Sequence, residues 1–526
     1  MDRLHSPPPG YAEQPQGWWQ HRGLLLALLA LAALPVLITD IPPLTDLPGH
    51  MGRYRVQLDI DNSAALQSFY TFNWSLIGNL GVDLLMEPLA RLIGLEPAVK
   101  LIVTLIPPLT VAGFLLVARE VHGRIPPGAF FALPFAYGFP FMFGFVNFAL
   151  SMALAMLAFG LWLRLARLRQ LRLRAVIFVP ISAIIWVTHA YGWGTLGVMA
   201  FSAELVRQHD RGRGFVESAM RAAMHCLVLA PPLLPMLAWR SGHVGGSTGD
   251  WFNMRAKVAW LVMALRDRWF WLDVLSLSAI VTLIAGAMRS KRLGFSRNLA
   301  ASALFLALVF LLLPRIVFGS AYADMRLVPY MFAVAVLAIR VRDPEDRQFH
   351  GRLALAALAF LLIRFGGHAA SFWIYDREYD RQLAALDHVP RGARMVSFVG
   401  VSCNAPWAMT RLEHLPAMAI VRREAFSNDQ WAMAGAQLLG VRYPGARGFV
   451  SDPSQLVAPH PCKYEIWRSI GAVFAELPRD RFDYVWMINP PAYRPELTRG
   501  LVPVWRSGSS ALFRIDHAAP AAAEAP

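Results

Sequence analysis

Apolar runs long enough to cross a bilayer fill most of the first 370 residues of this chain. Residues 24–38, 148–163 and 299–313 are examples, and each matches or approaches the roughly 20 residues that a membrane-spanning helix needs. Hydrophobic residues make up 56% of the 526 residues, whereas soluble domains contain about 45–50%. The sequence therefore predicts a polytopic α-helical membrane protein with one smaller domain, and not a row of soluble domains.

The pattern of apolar runs predicts about eleven transmembrane helices. We place them at residues 23–39, 98–118, 126–143, 147–164, 175–190, 192–206, 217–239, 269–288, 298–317, 327–340 and 352–370.

The loops between these runs carry the basic residues. If the N-terminus is cytoplasmic, the inside loops hold Arg119, Arg124, Arg167, Arg169, Arg172, Arg174, Arg207, Arg211, Arg213, Arg289, Lys291, Arg292, Arg297, Arg342 and Arg347. The outside turns around residues 144–146 and 191 hold none. This distribution follows the positive-inside rule. The formal net charge of +15 therefore indicates topology, and nucleic acid is not an expected partner.

Residues 76–95 are apolar enough to be mistaken for a further span, and their assignment decides the topology. Asp83, Glu87 and Arg91 recur every four residues and so form one polar stripe on a helix. Each charge at mid-membrane would cost about 2.5–3.5 kcal/mol. We therefore interpret residues 76–95 as an interfacial helix in a long first outer loop. The alternative is a span whose polar face is buried in the bundle.

This topology predicts four parts of the chain. They are a cytoplasmic tail at 1–22, a transmembrane domain at 23–370 with its first outer loop at 40–97, an extracytoplasmic soluble α/β domain at 371–517, and a disordered tail at 518–526. Cys403 and Cys462 both fall in the predicted outer domain, where an oxidising compartment would allow them to pair. Their spacing alone leaves the pairing open.

The first outer loop opens on a polar segment that suits group-transfer chemistry. It contains Asp40, Asp46, His50, Arg53 and Tyr54 within the 15 residues that follow the first span. An Asp at the membrane surface can act as a general base toward a hydroxyl, and an Arg can bind phosphate oxygens bidentately. A short helix from Leu47 would place the imidazole, the guanidinium and the phenol on one face. The alternative is a solvated loop with an N-cap Asp.

The arrangement resembles the GT-C superfamily of integral-membrane glycosyltransferases. Two bacterial branches, the lipid A aminoarabinose transferases and the protein O-mannosyltransferases, carry a Pro-Pro…Asp-Glu…Arg-Tyr pattern in this loop. This chain has Pro42-Pro43, Asp46 and Arg53-Tyr54, but Leu47 stands where the pattern has the second acidic residue. The resemblance implies a GT-C-like fold, a polyprenyl-phosphate-linked sugar donor and an acidic catalytic residue. The departure at Leu47 indicates a divergent branch and leaves open whether Asp46 or Asp40 is the base.

Three residues outside this loop are further candidates for substrate binding. Asp324 and Arg326 begin the tenth predicted span at its outer end, and His189 ends the fifth. Arg326 would bind the donor phosphate, or it would pair with Asp324 as an interfacial Arg. His189 would contact a ligand or pack as a hydrogen-bonded core residue.

The sequence carries no metal-binding or nucleotide-binding signature, so no cofactor is certain. It leaves open a divalent metal ion bound by Asp40, Asp46 and His50. The expected function is a glycosyltransferase of a bacterial cytoplasmic (inner) membrane that transfers a sugar to an extracytoplasmic acceptor with inversion. The alternatives are a transporter or flippase of lipid-linked glycans, which the low content of charge in the assigned spans disfavours, and a non-catalytic component of an envelope polysaccharide complex.

Overall fold

The computed structural model describes residues 17–237, 247–317, 319–404, 406–431, 437–463 and 465–517. The predicted disordered tail at 518–526 and most of the predicted cytoplasmic tail at 1–22 lie outside these ranges. The chain divides into two compact units. The first, called the helical unit, comprises residues 1–38, 76–85 and 100–372, and the second, called the mixed unit, comprises residues 39–75, 86–99 and 373–526.

The helical unit contains the long apolar helices. The α-helices that lie wholly or mostly in it are Arg22–Leu37, Leu95–His122, Phe139–Phe143, Val146–Arg167, Leu171–Thr188, Ala190–His209, Phe215–Cys226, Met254–Val262, Phe270–Arg289, Arg297–Leu312, Val328–Leu337 and Arg347–Leu383. A two-stranded antiparallel sheet joins Leu293–Phe295 to Ile339–Val341.

Five helices of the described ranges are long and apolar enough to cross a membrane. They are Leu95–His122, Val146–Arg167, Leu171–Thr188, Phe270–Arg289 and Arg347–His388, the last including a 3-10 turn after Leu383. Three shorter apolar helical segments, Arg22–Leu37, Pro127–Phe143 and Arg297–Leu312, accompany them. The chain therefore has the helices of a polytopic membrane protein, while the number of spans stays a prediction.

Two predicted spans differ from the helices that form. Residues 126–143 fold into a 3-10 helix, Pro127–Tyr137, followed by the short helix Phe139–Phe143, because several prolines each remove a backbone donor and disfavour a continuous α-helix. Residues 327–340 form the helix Val328–Leu337, after which the chain turns into the strand Ile339–Val341.

The segment that decided the topology forms a 13-residue helix, Gly81–Ile93. At 1.5 Å per residue it is about 20 Å long, well short of the roughly 30 Å hydrocarbon core. The predicted polar stripe is present, since Glu87 pairs with Arg91 at 2.9 Å and Asp83 is buried and accepts a hydrogen bond from Asn147. Apolar side chains are exposed on the helix: Leu84, Leu85, Leu92 and Ile93. This amphipathic surface supports the interfacial assignment.

The mixed unit is built around a six-stranded sheet. In spatial order its strands are Arg468–Ser469, Leu456–Ala458, Met395–Gly400, Tyr484–Ile488, Ser510–Ile515 and Leu501–Ser507. The first four are parallel, and the last two form an antiparallel hairpin at one edge. The α-helices that lie wholly or mostly in this unit are Leu47–Asp59, Ala64–Phe69, Gly81–Ile93, Met418–Arg423 and Ile470–Glu476.

Residues 40–75 and 86–97 of the first outer loop belong to this unit, whereas residues 76–85 belong to the helical one. Val56, Leu66 and Phe69 share one buried core with side chains of the sheet such as Val396 and Val485. The short strand Tyr70–Phe72 also pairs antiparallel with Leu439–Val441. Burial of these apolar groups, at about 25 cal/mol per Å², explains why the loop is ordered.

A disulfide joins Cys403 to Cys462, with the two Cα atoms 5.3 Å apart. The two cysteines follow the neighbouring parallel strands Met395–Gly400 and Leu456–Ala458. The pairing that the sequence left open is therefore present.

Two glycines bring the Leu47–Asp59 helix into close contact with residues 417–431 of the same unit. A Cβ at Gly49 would lie 2.6 Å from a ring carbon of Trp431, and one at Gly52 would lie 2.8 Å from Nε2 of Gln430 and 3.1 Å from Cβ of Ala417. The Gln430 amide donates a hydrogen bond of 3.1 Å to the Gly49 carbonyl. The spacing of three residues puts both glycines on one helix face, so the helix is fitted to this surface along its first two turns.

We expect Gly52→Ala to destabilise the protein by about 1–3 kcal/mol, because the added methyl group overpacks a filled interface. Gly471→Ala is the matched control, since it also lies in a helix of the mixed unit but its Cβ would meet nothing within 4 Å. That variant should be neutral or stabilising by up to about 1 kcal/mol. Thermal unfolding of the full chain in detergent measures both, and equal midpoints for the two variants would contradict this account of the interface.

Candidate functional site

Asp46 lies immediately before the Leu47–Asp59 helix, where an Asp would ordinarily cap the helix. Its side chain makes no capping hydrogen bond to that described helix. It is only 8% exposed, and its Oδ1 atom lies 4.0 Å from Nε2 of His414. The alternative of an ordinary N-cap Asp in a solvated loop is therefore not what the structure contains.

His414 has three carboxyl groups around its ring. Its Nε2 lies 3.9 Å from Oδ1 of Asp452 and 4.0 Å from Oδ1 of Asp46, and its Nδ1 lies 3.9 Å from Oδ2 of Asp429. Nδ1 also lies 3.1 Å from the backbone carbonyl of Asp429. Because a carbonyl can only accept, Nδ1 carries the proton and donates it there. In the neutral ring, Nε2 is then the basic nitrogen that faces Asp46 and Asp452.

Burial sets the protonation of two groups in this cluster. Asp429 is fully buried, which raises its pKa to about 8, and the neighbouring Asp452 charge adds to the rise. The Ser427 hydroxyl donates a hydrogen bond of 2.7 Å to Asp429 and opposes the shift. Burial also lowers the pKa of His414, although the Asp452 carboxylate opposes this. At neutral pH Asp429 therefore holds a proton and the His414 ring is neutral.

Aromatic rings form one wall of the cluster. The Trp431 ring lies 4.4 Å from that of His414 and 5.1 Å from that of His50, between ring centres. His50 stacks on Tyr54 at 6.4 Å, and the Arg53 guanidinium lies 5.2 Å from the Tyr54 ring. Burial, followed by the nearby Arg53 charge, lowers the pKa of His50 well below its usual value. The predicted grouping of His50, Arg53 and Tyr54 on one short helix is present.

The segment that leads into Asp46 is held by side chains of the same unit. Arg411, itself buried, donates a hydrogen bond to the Pro43 carbonyl. The backbone N–H of Asp40 donates to Oδ1 of Asp376 at 2.8 Å. Asp40 itself is exposed. Of the two carboxylates that the sequence left as alternatives, Asp46 is the buried one, and it lies beside the His414 ring.

The remaining candidates form a separate group in the helical unit. Nη1 of Arg326 lies 3.4 Å from Nε2 of His189, and its Nη2 donates to the Ser320 hydroxyl at 3.2 Å. Three aromatic rings surround the guanidinium within about 6 Å, at 4.4, 5.3 and 5.8 Å from their centres: Phe145, Tyr191 and Phe148. Such a set of rings stabilises a cation that has left water.

Asp324 belongs to another ion pair than the one that the sequence suggested. Its Oδ2 lies 3.1 Å from the buried ammonium of Lys257, which also donates to the carbonyls of Phe310 and Leu313. The alternative in which Arg326 is an interfacial Arg paired with Asp324 therefore lacks support.

Metal binding at the predicted residues lacks support as well. Within the described ranges, no group of three or more His, Cys, Asp or Glu side chains is arranged to hold a metal ion. Asp40 is exposed and its backbone is tied to Asp376, whereas Asp46 faces His414. Asp40 and Asp46 thus have different neighbours and are not arranged around a common metal ion.

Sequence reasoning missed His414, Asp429, Asp452, Trp431 and Lys257. All but Lys257 are more than 360 positions from Asp46, so only the tertiary fold brings them beside it. One local signal existed: Ser427–Trp431 is a run of polar residues ending in an aromatic, and its first four residues are almost completely buried. Buried polar side chains in such a run require hydrogen-bonding partners, which marks the run as part of a polar site.

Comparisons with known proteins give a fold but no sequence relative. No family model and no curated protein matches the chain. Among solved structures, the fold is similar to the crystal structure of ArnT from Cupriavidus metallidurans bound to undecaprenyl phosphate, with a TM-score of 0.50 at 10% identity. The match covers 95% of this chain and 99% of that chain. The resemblance expected from the sequence is thus confirmed for the fold alone: the chain has an ArnT-like fold.

We expect the stability of the protein to fall as the pH rises from about 4 to 8, in part because of Asp429. The folded pKa of about 8 lies above the about 3.9 of an unfolded Asp, so within this window the folded state holds a proton that the unfolded chain has lost. The contribution is fully present below about pH 4 and is lost as the pH approaches 8. Asp429→Asn should flatten the dependence of the unfolding temperature on pH in this window, whereas an unchanged slope would contradict the assignment.

Proposed function

We propose that this chain is a membrane glycosyltransferase that transfers a sugar from a polyprenyl-phosphate-linked donor to an acceptor hydroxyl outside the cytoplasmic membrane. The fold supports the class of enzyme, and the similar ArnT structure holds undecaprenyl phosphate, a polyprenyl phosphate. The observation that carries the proposal is Asp46, a carboxyl group that is buried beside a neutral imidazole and does not cap its helix.

In the proposed reaction Asp46 acts as the general base. It accepts the proton of the acceptor hydroxyl while the oxygen attacks the anomeric carbon of the sugar from the side opposite the phosphate. The bond between that carbon and the phosphate oxygen breaks, and its electron pair leaves with the polyprenyl phosphate. Inversion at the anomeric carbon follows from this in-line geometry.

A guanidinium would neutralise the phosphate that leaves. Arg326 suits this role, because the aromatic rings around it keep a cation ordered where little water reaches it. Arg53 is the other candidate and is almost completely buried against Tyr54. A guanidinium offers parallel N–H donors that match phosphate oxygens.

Localisation is proposed on the same basis. The apolar helices and the fold support a membrane protein. The Cys403–Cys462 disulfide supports an oxidising compartment for the mixed unit, in agreement with the orientation that the basic loops predict. We therefore place this unit on the extracytoplasmic side of a bacterial inner membrane, with the N-terminus in the cytoplasm.

The structure gives the transport alternative no specific support. The helical unit does contain buried charge that the sequence did not predict: Arg364 pairs with Asp273 at 2.7 Å, and His368 with Asp267 at 2.9 Å. Arg364 also lies 3.3 Å from His368, and Ser371 donates to Asp267. These contacts join the groups into one hydrogen-bonded network, as expected of a structural role.

We expect Asp46→Asn to reduce sugar transfer by at least about 10²–10⁴-fold, the usual contribution of a general base, because an amide cannot accept the acceptor proton. Asp40→Asn should retain most of the activity, since that residue is exposed. The measurement is consumption of polyprenyl-phosphate sugars, offered as a panel to the purified protein with a cell-envelope extract as acceptor. Full activity of both variants would refute the mechanism, and loss only in Asp40→Asn would move the base to that residue.

A second experiment separates the two phosphate-binding candidates. Removing a charge-assisted hydrogen bond costs about 1.5–3 kcal/mol, so Arg326→Gln should weaken binding of undecaprenyl phosphate by roughly 10–100-fold. Arg53→Gln should leave this affinity within about threefold if Arg326 is the ligand. The stabilisation of each variant by added lipid in thermal unfolding reports the affinity. The opposite ranking would assign the phosphate to Arg53, and unchanged affinity in both variants would exclude both residues.

A further inference from the structure

The geometry around His414 addresses a step that the proposed reaction leaves open. After each transfer Asp46 holds the proton of the acceptor and must lose it before the next turnover. Its side chain is 11% exposed, so direct release to water is restricted. The basic nitrogen of His414 lies 4.0 Å from the Asp46 carboxyl group.

We propose that His414 relays this proton from Asp46 to Asp452. Nε2 accepts the proton from the Asp46 carboxylic acid, which returns to the carboxylate, and the imidazolium that forms then gives the same proton from Nε2 to Asp452. The proton leaves from Asp452 to water. No other group changes oxidation state or composition. This relay rests on the proposed function, because it restores the base of that reaction.

The tautomer of the ring is suited to the relay. The Nδ1–H donates to the Asp429 carbonyl at 3.1 Å, which fixes the ring orientation and leaves the lone pair on Nε2. Trp431 packs against the ring at 4.4 Å and further restricts its rotation. A ring held in this way accepts and releases a proton at the same nitrogen without rotating.

Asp452 is suited to be the exit. Its side chain is 25% exposed, about twice as much as that of Asp46, and its Oδ1 lies 3.9 Å from Nε2 of His414. The Gln455 amide donates to the same oxygen at 2.8 Å and so holds the carboxyl group toward the ring. Both gaps to Nε2 exceed hydrogen-bond length, so transfer requires either one bridging water or a small approach on substrate binding.

The other charged or titratable groups near the ring are consistent with this direction of transfer. The carboxyl group of Asp429 is fully buried and protonated at neutral pH, so it does not compete for the proton, while the backbone carbonyl of Asp429 orients the ring. His50 also contacts Trp431, at 5.1 Å between ring centres, and is kept neutral by burial and by Arg53. The carboxyl groups of Asp46 and Asp452 are therefore the partners that remain for Nε2.

The first experiment uses chemical rescue in the full-length protein. We expect His414→Ala to slow multiple-turnover transfer by about 10–1,000-fold, within the range for acid–base groups. Added imidazole should restore activity in proportion to its concentration, because it fits the vacated space and carries the proton. Pyrazole, a ring of the same size but a far weaker base, should not. Equal rescue by both compounds would mean that the ring only fills space, and an unaffected variant would overturn the relay.

A conservative substitution separates orientation from proton transfer. In His414→Asn the amide N–H can still donate to the Asp429 carbonyl, but Nε2 is gone. The first turnover, which consumes only the proton capacity of Asp46, should keep its rate, whereas later turnovers should become slow and dependent on buffer concentration. A variant that is equally slow in the first turnover would contradict a role in restoring Asp46 and would indicate a positioning role.

A titration that needs no activity keeps this inference distinguishable from the proposed function. NMR of histidine-labelled protein measures the pKa of His414, which burial lowers and the Asp452 carboxylate raises. Asp46→Asn and Asp452→Asn should each lower that pKa, whereas Asp480→Asn, at an exposed site of the same unit, should not. If the two substitutions lower the pKa of His414 but no tested sugar is transferred, the proposed function is overturned and the relay with it. If sugar is transferred but the substitutions leave the pKa of His414 unchanged, the relay alone is overturned.

Discussion

The packing of the Leu47–Asp59 helix against residues 414–431 is the interaction on which the candidate site depends. Gly49 and Gly52 allow the two segments to approach to the distance at which a single methyl group would collide with Trp431 or Gln430. This contact turns a loop that follows the first apolar helix into part of a folded core. It also places the carboxyl group of Asp46 beside His414, which neither segment could achieve alone.

The polar groups at this contact can be buried because of their protonation and their positions around one another. A buried carboxylate without a partner costs several kcal/mol, and here one of three carboxyl groups avoids the cost by keeping its proton. The His414 ring then lies between the remaining two. Groups coupled in this way titrate as a set, so a substitution at one member changes the protonation of the others.

The fold was predictable from the sequence to the extent that local patterns determine it. Long apolar runs became long helices, and the Asp83, Glu87 and Arg91 stripe distinguished an amphipathic helix of 13 residues from a span. The paired prolines at 126–127 disfavour a continuous α-helix there, since each lacks an N–H. The sequence could not show that most of the first outer loop belongs to the mixed unit, because this depends on contacts between residues that are hundreds of positions apart.

The candidate site shows the same division between local and long-range information. His50, Arg53 and Tyr54 are neighbours on one helix, so helical periodicity alone placed them together. His414, Asp429 and Asp452 have no local signature that assigns them to Asp46. The ion pair of Asp324 was likewise not predictable, because its partner Lys257 is 67 positions away in the sequence.

Leu47 links the departure from the GT-C pattern to the site that forms. The family pattern has an acidic residue directly after the first Asp, but here that position is an apolar side chain with no exposed surface. A carboxylate at Leu47 would lose its hydration in this core and would need a cation or several donors to compensate. The role of a polar neighbour for Asp46 falls instead to His414, which approaches from a distant segment and brings two further carboxyl groups with it. A chain with this fold can thus lack the second acidic residue of the pattern and still place an imidazole and further carboxyl groups around Asp46.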